Sequence, residues 1–130
     1  MAPEDTRFIL LVENDAPLRN LVTRMLECQG YRVRAAADGQ VAADLFHADP
    51  EGVALLLTDL EMPGKNGIEL IQEIRVVRPE LPVVLMSGNL DECSEELRGI
   101  PSMAKPFTIE TLMRAVEKYL KSGEAAVLAS

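Results

Sequence analysis

Short apolar runs alternate along the chain with segments whose apolar positions recur at helical spacing. Phe8 to Val12 is wholly apolar and stops at Glu13-Asn14-Asp15, as a buried strand does at a polar edge. From Ala16 to Gln29 the residues Leu18, Leu21, Val22, Met25 and Leu26 fall at i, i+3, i+4, i+7 and i+8. That spacing predicts one inward helix face, with Gly30 placed to end the helix. Tyr31 to Ala36 predicts a second strand, Asp38-Gly39 a turn, and Gln40 to His47 a short helix carrying Val41, Leu45 and Phe46. Val53 to Leu57 is the most apolar strand and runs into Thr58-Asp59. Met62 to Gly67, with its Pro and two Gly, predicts a loop, followed by a helix to about Arg78 with Leu70, Ile71, Ile74 and Val77 on one side. Pro82 to Met86 predicts a fourth strand ending in Ser87-Gly88-Asn89, and Asp91 to Arg98 at most a short helix. Ser102 to Ala104 predicts a brief fifth strand, and Thr108 caps a last helix with Leu112, Met113, Val116 and Leu120 inward.

Five strand and helix repeats without a hairpin signal argue for an α/β fold, a doubly wound parallel sheet covered by helices on both faces. In open sheets of this kind polar chemistry gathers at the carboxyl ends of the strands. Glu13 and Asn14 end the first strand, Asp59 the third, Ser87 the fourth and Lys105 the fifth. Two carboxylates with oxygen neighbours suit a hard divalent ion such as Mg²⁺. The ion and Lys105 would neutralise the oxygens of a phosphoryl group arriving on Asp59, and the Ser87 hydroxyl would donate to one of them. Taken alone, Lys105 would be an ordinary exposed lysine, and its place before Pro106-Phe107 at a strand end is what singles it out. His47, alone at the end of a short helix, reads as a solvated or structural residue, since cations favour helix ends.

Composition narrows the partners. The 130 residues suit one domain, expected over 8–121 with tails at 1–7 and 122–130, and leave no room for a separate effector module. A net charge of -8 repels nucleic acid and anionic lipid, so neither is an expected partner. Cys28 and Cys93 are far apart and belong to no metal or redox motif, which fits reduced thiols in the cytoplasm. No apolar stretch approaches the length of a membrane span.

ILLVENDAPLR at Ile9 to Arg19, LLLTDLEMPGKNG at Leu55 to Gly67, VVLMSG at Val83 to Gly88 and AKPF at Ala104 to Phe107 together resemble the receiver domains of bacterial response regulators and hybrid histidine kinases. The resemblance covers roughly Phe8 to Lys121. It implies a flavodoxin-like sheet of five strands in the order 2-1-3-4-5. It also implies a switch in two-component phosphorelay signalling rather than an enzyme in the ordinary sense. By it Asp59 is the phosphoacceptor, Ser87 and Lys105 stabilise the phosphoryl group, and Mg²⁺ is held by Glu13, Asn14, Asp59 and the backbone carbonyl of Glu61. Gly88 and Asn89 are the positions that would modulate access and hydrolysis, and the Lys105-Pro106 bond is cis. The implied phosphodonor is a histidine kinase or a histidine phosphotransfer protein, and a homodimer is compatible with the resemblance.

Three departures stand out. Asn14 replaces a carboxylate, so weaker Mg²⁺ binding is expected; Ser102 replaces an aromatic switch residue; and the stretch from Ser87 to Lys105 is short. A pseudo-receiver that binds a partner constitutively is therefore the alternative. A small-molecule binder of the same shape lacks a Gly-rich phosphate loop after the first strand.

Overall fold

In the computed structural model, which describes residues 7–60, 65–87 and 100–120, five strands form: β1 (Phe8–Val12), β2 (Val33–Ala36), β3 (Val53–Asp59), β4 (Val83–Ser87) and β5 (Ser102–Ala104). They pair in parallel in the order β2-β1-β3-β4-β5. The parallel sheet covered on both faces is the arrangement that the alternation of segments predicts, and its strand order is the flavodoxin-like one that the resemblance implies. Among the described residues helices α1 (Ala16–Cys28), α2 (Gly39–Ala48), α3 (Gly67–Val77) and α4 (Ile109–Leu120) follow β1, β2, β3 and β5, and a single 3-10 turn, Pro50–Gly52, leads into β3. The short helix expected over Asp91 to Arg98 lies outside the described residues.

Alternation along each strand sorts the core into two layers. Phe8, Leu10, Val12, Leu56, Val83 and Leu85 face Ala42, Ala43 and Phe46 of α2 and Leu70, Ile71 and Ile74 of α3. Ile9, Leu11, Leu55, Leu57, Val84, Met86 and Met103 face Val22 and Leu26 of α1 and Leu112, Val116 and Leu120 of α4. Because every residue of β1, β3 and β4 is buried, these strands read as apolar runs up to the polar ends of β3 at Thr58-Asp59 and of β4 at Ser87.

Local signals place the helix ends. The Asp15 carboxylate accepts from Leu18 N at 3.0 Å and Pro17 sits in the first turn, so α1 starts directly after the polar end of β1. Gly30, at φ 95°, takes the left-handed conformation that ends it. Three apolar residues expected inward are instead exposed: Leu21, Val41 and Val77. Leu21 lies at the margin of α1's buried stripe, Val41 is in the first turn of α2, and Val77 is the last residue of α3. β2 is also two residues shorter at its start than expected, with Tyr31 buried beneath α1 rather than paired in the sheet.

Candidate functional site

Strand register carries the polar ends into one row. Val12 lies beside Thr58, so Glu13 leaves β1 next to Asp59; Asp59 lies beside Met86, and Ser87 beside Ala104, so Ser87 and Lys105 follow. Glu13, Asp59 and Ser87 are buried, at 1%, 7% and 5% exposure. A buried carboxylate needs a partner of opposite charge or a set of donors. Lys105 supplies the charge: its Nζ donates to Glu13 Oε1 at 2.7 Å and to Asp59 Oδ2 at 3.0 Å. Its side chain is only 22% exposed, so it is not the ordinary surface lysine that its residue type suggests.

The backbone around the cluster is fixed as well. Asp15 N donates to Glu13 Oε2 at 3.0 Å, and Arg19 Nη1 donates to the Glu13 carbonyl at 2.9 Å, so the first turn of α1 holds Glu13 at both ends. Thr58 Oγ1 donates to the Asp59 carbonyl at 2.9 Å, and Lys105 N donates to the Ser87 carbonyl at 2.8 Å. The Lys105-Pro106 bond is cis. Gly67 N donates to the Leu60 carbonyl at 2.9 Å, and a Cβ at position 67 would stand 2.6 Å from the Asp59 carbonyl oxygen. Only a glycine lets α3 begin this close to Asp59.

The Asn14 amide, oriented by the acceptors around it, places its nitrogen 3.3 Å from Asp59 Oδ2 and 3.3 Å from Glu13 Oε2. Burial is the largest influence on Lys105 and opposes its charge. The hydrogen bonds to Glu13 and Asp59, with their negative charges, outweigh it and raise the Lys105 pKa above the usual lysine value. Among the described residues no three His, Cys, Asp or Glu side chains gather to hold a metal. Two carboxylates and one amide do stand together, a hard-oxygen donor set that fits Mg²⁺ in chemistry.

The structure thus brings together Glu13, Asn14, Asp59 and Lys105, with Ser87 adjoining on β4. Glu61, Gly88 and Asn89 lie outside the described residues. Ser102 is exposed on β5. Asp15 and Arg19 lie outside the set that strand-end polarity predicts, although an Asp followed by a first-turn Pro marks a helix start. A second ionic group lies outside that set too: Glu73 accepts from Lys65 Nζ at 2.6 Å and pairs with His47 Nε2 at 2.6 Å. Hydrogen bonding to Lys65 first, then to His47, lowers the Glu73 pKa below the usual carboxylate value. Beside Lys105 lies an apolar groove of about 360 Å³ lined by Leu18, Leu21, Val22, Met25, Pro106 and Phe107, which accounts for the exposure of Leu21.

Comparison with known proteins follows the same outline. The family model described as the response regulator receiver domain matches residues 9–117. The chain is 34% identical over 116 residues to sporulation initiation phosphotransferase F of Bacillus subtilis, covering 86% of this chain and 92% of that protein. It spans 54–56% of the length of several other curated relatives. Among solved structures, the receiver domain of the hybrid histidine kinase CckA is 33% identical with a TM-score of 0.76, covering 86% of this chain and 97% of that one. The response regulator TrrA of Thermotoga maritima, in complex with Mg²⁺-BeF, is 26% identical with a TM-score of 0.80, covering 88% of this chain and 99% of that one.

Proposed function

This chain belongs to the response regulator receiver family of two-component signalling, and from that premise we propose that it is a phosphorylation switch whose acceptor is Asp59. The observation that carries the reading is the placement of the Lys105 ammonium across Asp59 and Glu13 at the carboxyl end of the sheet. An Asp59 carboxylate oxygen attacks the phosphorus of a phosphohistidine on a histidine kinase or phosphotransfer protein. A P–O bond forms, the P–N bond breaks, and its electron pair leaves on the imidazole nitrogen. Lys105, already hydrogen-bonded to Asp59, turns its charge toward the incoming phosphoryl oxygens, and the Ser87 hydroxyl donates to one of them.

Glu13, Asn14, Asp59 and the carbonyl of Glu61 would hold Mg²⁺, as the structure of a relative in complex with Mg²⁺-BeF supports for the family. The ion would supply further neutralisation of the phosphoryl charge. The likeness to a hybrid-kinase receiver and to a sporulation phosphotransferase supports a histidine-borne donor. The groove beside Lys105 offers that donor an apolar seat. Among the described residues no helix is long and apolar enough to cross a membrane.

Incubation with acetyl phosphate and Mg²⁺, followed by intact mass, tests the reading. One phosphoryl group should be gained by the wild type and none by Asp59→Asn, because the amide is a poor nucleophile. Addition that persists in the variant would place the acceptor elsewhere. The second reading, a constitutive interaction module, is favoured by the Asn14 amide beside Asp59 and by the exposed serine at position 102. It predicts no mass gain in either protein.

A further inference from the structure

Two buried carboxylates side by side repel each other unless donors stand between them. Lys105 bridges Glu13 Oε1 and Asp59 Oδ2 at 2.7 and 3.0 Å. With its amide turned so that the nitrogen rather than the oxygen faces these acceptors, Asn14 forms a second bridge, to Glu13 Oε2 and Asp59 Oδ2 at 3.3 Å each. An aspartate at this position has no proton to offer either oxygen at neutral pH, and it would add a third negative charge. Asn14 therefore gives the metal-free cluster part of what a bound cation gives it. To serve as a ligand the same amide must turn its oxygen inward, which gives up both bridges and contributes only a neutral dipole to the ion.

We infer that Asn14 sets the divalent-cation threshold of this site: it is a neutral internal substitute for the cation, which stabilises the metal-free state and weakens Mg²⁺ binding by the same contacts. The inference deepens and rests on the reading of this cluster as the phosphoacceptor site. Its direction follows from charge count, since sites of hard oxygen ligands tune affinity by the number of charged ligands. With an aspartate here the cluster would hold three carboxylates against one ammonium, and the ion would relieve the excess.

The test compares wild type, Asn14→Asp and Asn14→Ala as the full chain, by calorimetric titration with MgCl₂ and by melting curves with and without the ion. Asn14→Asp should bind Mg²⁺ about tenfold or more tightly than wild type, on the dependence of affinity on ligand charge, and should melt at a lower temperature in its absence. Asn14→Ala, which removes the bridges without adding charge, should also melt lower in the absence of Mg²⁺. Equal Mg²⁺ affinity in wild type and Asn14→Asp, or a metal-free Asn14→Asp that melts no lower than wild type, would overturn the inference. Intact mass after acetyl phosphate treatment, run in parallel, keeps the two readings apart. A wild type that is phosphorylated on Asp59 but shows no shift in Asn14→Asp loses only the inference. A tenfold shift without phosphorylation of the wild type keeps the cation role of Asn14 and removes the phosphoacceptor reading.

Discussion

Lys105 is the residue whose environment departs furthest from what its type suggests. Its ammonium is the charged partner of Glu13, a carboxylate with 1% exposure that sits at the end of an apolar strand. Lys105→Ala would leave that carboxylate and Asp59 facing each other, with the Asn14 amide and the Asp15 N–H still beside them as donors. A loss of about 2 kcal/mol in urea unfolding is expected, the scale for a buried polar group left unsatisfied. The pH dependence has a definite sign. Because the folded-state pKa of Lys105 is raised above 10.5, its contribution is fully present below the ordinary lysine value and is lost as pH rises through the higher folded value. The stability gap between wild type and Lys105→Ala should stay constant from neutral pH to 10 and narrow above 10.5. A gap that instead narrows on the acid side of neutrality would show that the lysine's partners, not the lysine, control it. The strand-end positions of Glu13 and Asp59 were legible in the sequence because each closes an apolar run, and that of Lys105 because it precedes Pro106-Phe107 at a strand end. The direction in which the Asn14 amide points was not legible, since it depends on which oxygens stand around it.

At the scale of elements, the start of α3 controls how the chain leaves Asp59. Asn66 Oδ1 accepts from Glu69 N at 2.9 Å, and Glu69 Oε1 accepts in turn from Asn66 N at 3.0 Å, a reciprocal capping box. The same turn presses Gly67 against the Asp59 carbonyl, so the cap helps to fix the acceptor strand's exit. Asn66→Ala should cost about 1 kcal/mol, the usual penalty for losing such a cap, measured by chemical denaturation with an unchanged m-value. A loss below the error of the measurement would mean that packing at Gly67 alone sets the helix start. The Asn-x-x-Glu pattern before an apolar run was present in the sequence, where a loop signal from Pro63 and Gly64 overshadowed it. The Glu73 group was not legible in the same way. It joins His47 on α2, Lys65 before α3 and Glu73 within α3, and which faces of two helices meet is a matter of packing rather than of periodicity.

For the whole molecule, the consequence of burying a parallel sheet on both faces is that no residue of its central strand is expendable. In β3, Leu56 points into the layer with α2 and α3, while Leu55 and Leu57 point into the layer with α1 and α4. All three are fully buried. A sheet with one wet face would show a strong alternation in the cost of truncating successive residues, because every second side chain would lie in solvent. Here Leu56→Ala and Leu57→Ala should each lower stability by about 3 kcal/mol, within the range for leucine truncation in a packed core. Equilibrium urea unfolding of the two variants is the measurement, and a difference of several-fold between them would mean that one layer is thinly covered. The two-sided burial also explains why fold class was legible from unbroken apolar runs while helix faces were misjudged at Leu21, Val41 and Val77. A run buried on both sides needs no phase to be recognised. A helix lying on a sheet buries only part of its circumference, and where that part ends is decided by the sheet's edge and by the neighbouring helix. Leu21 meets the edge of that covered zone beside Lys105, so the helix that completes one core layer also carries an apolar surface to the site.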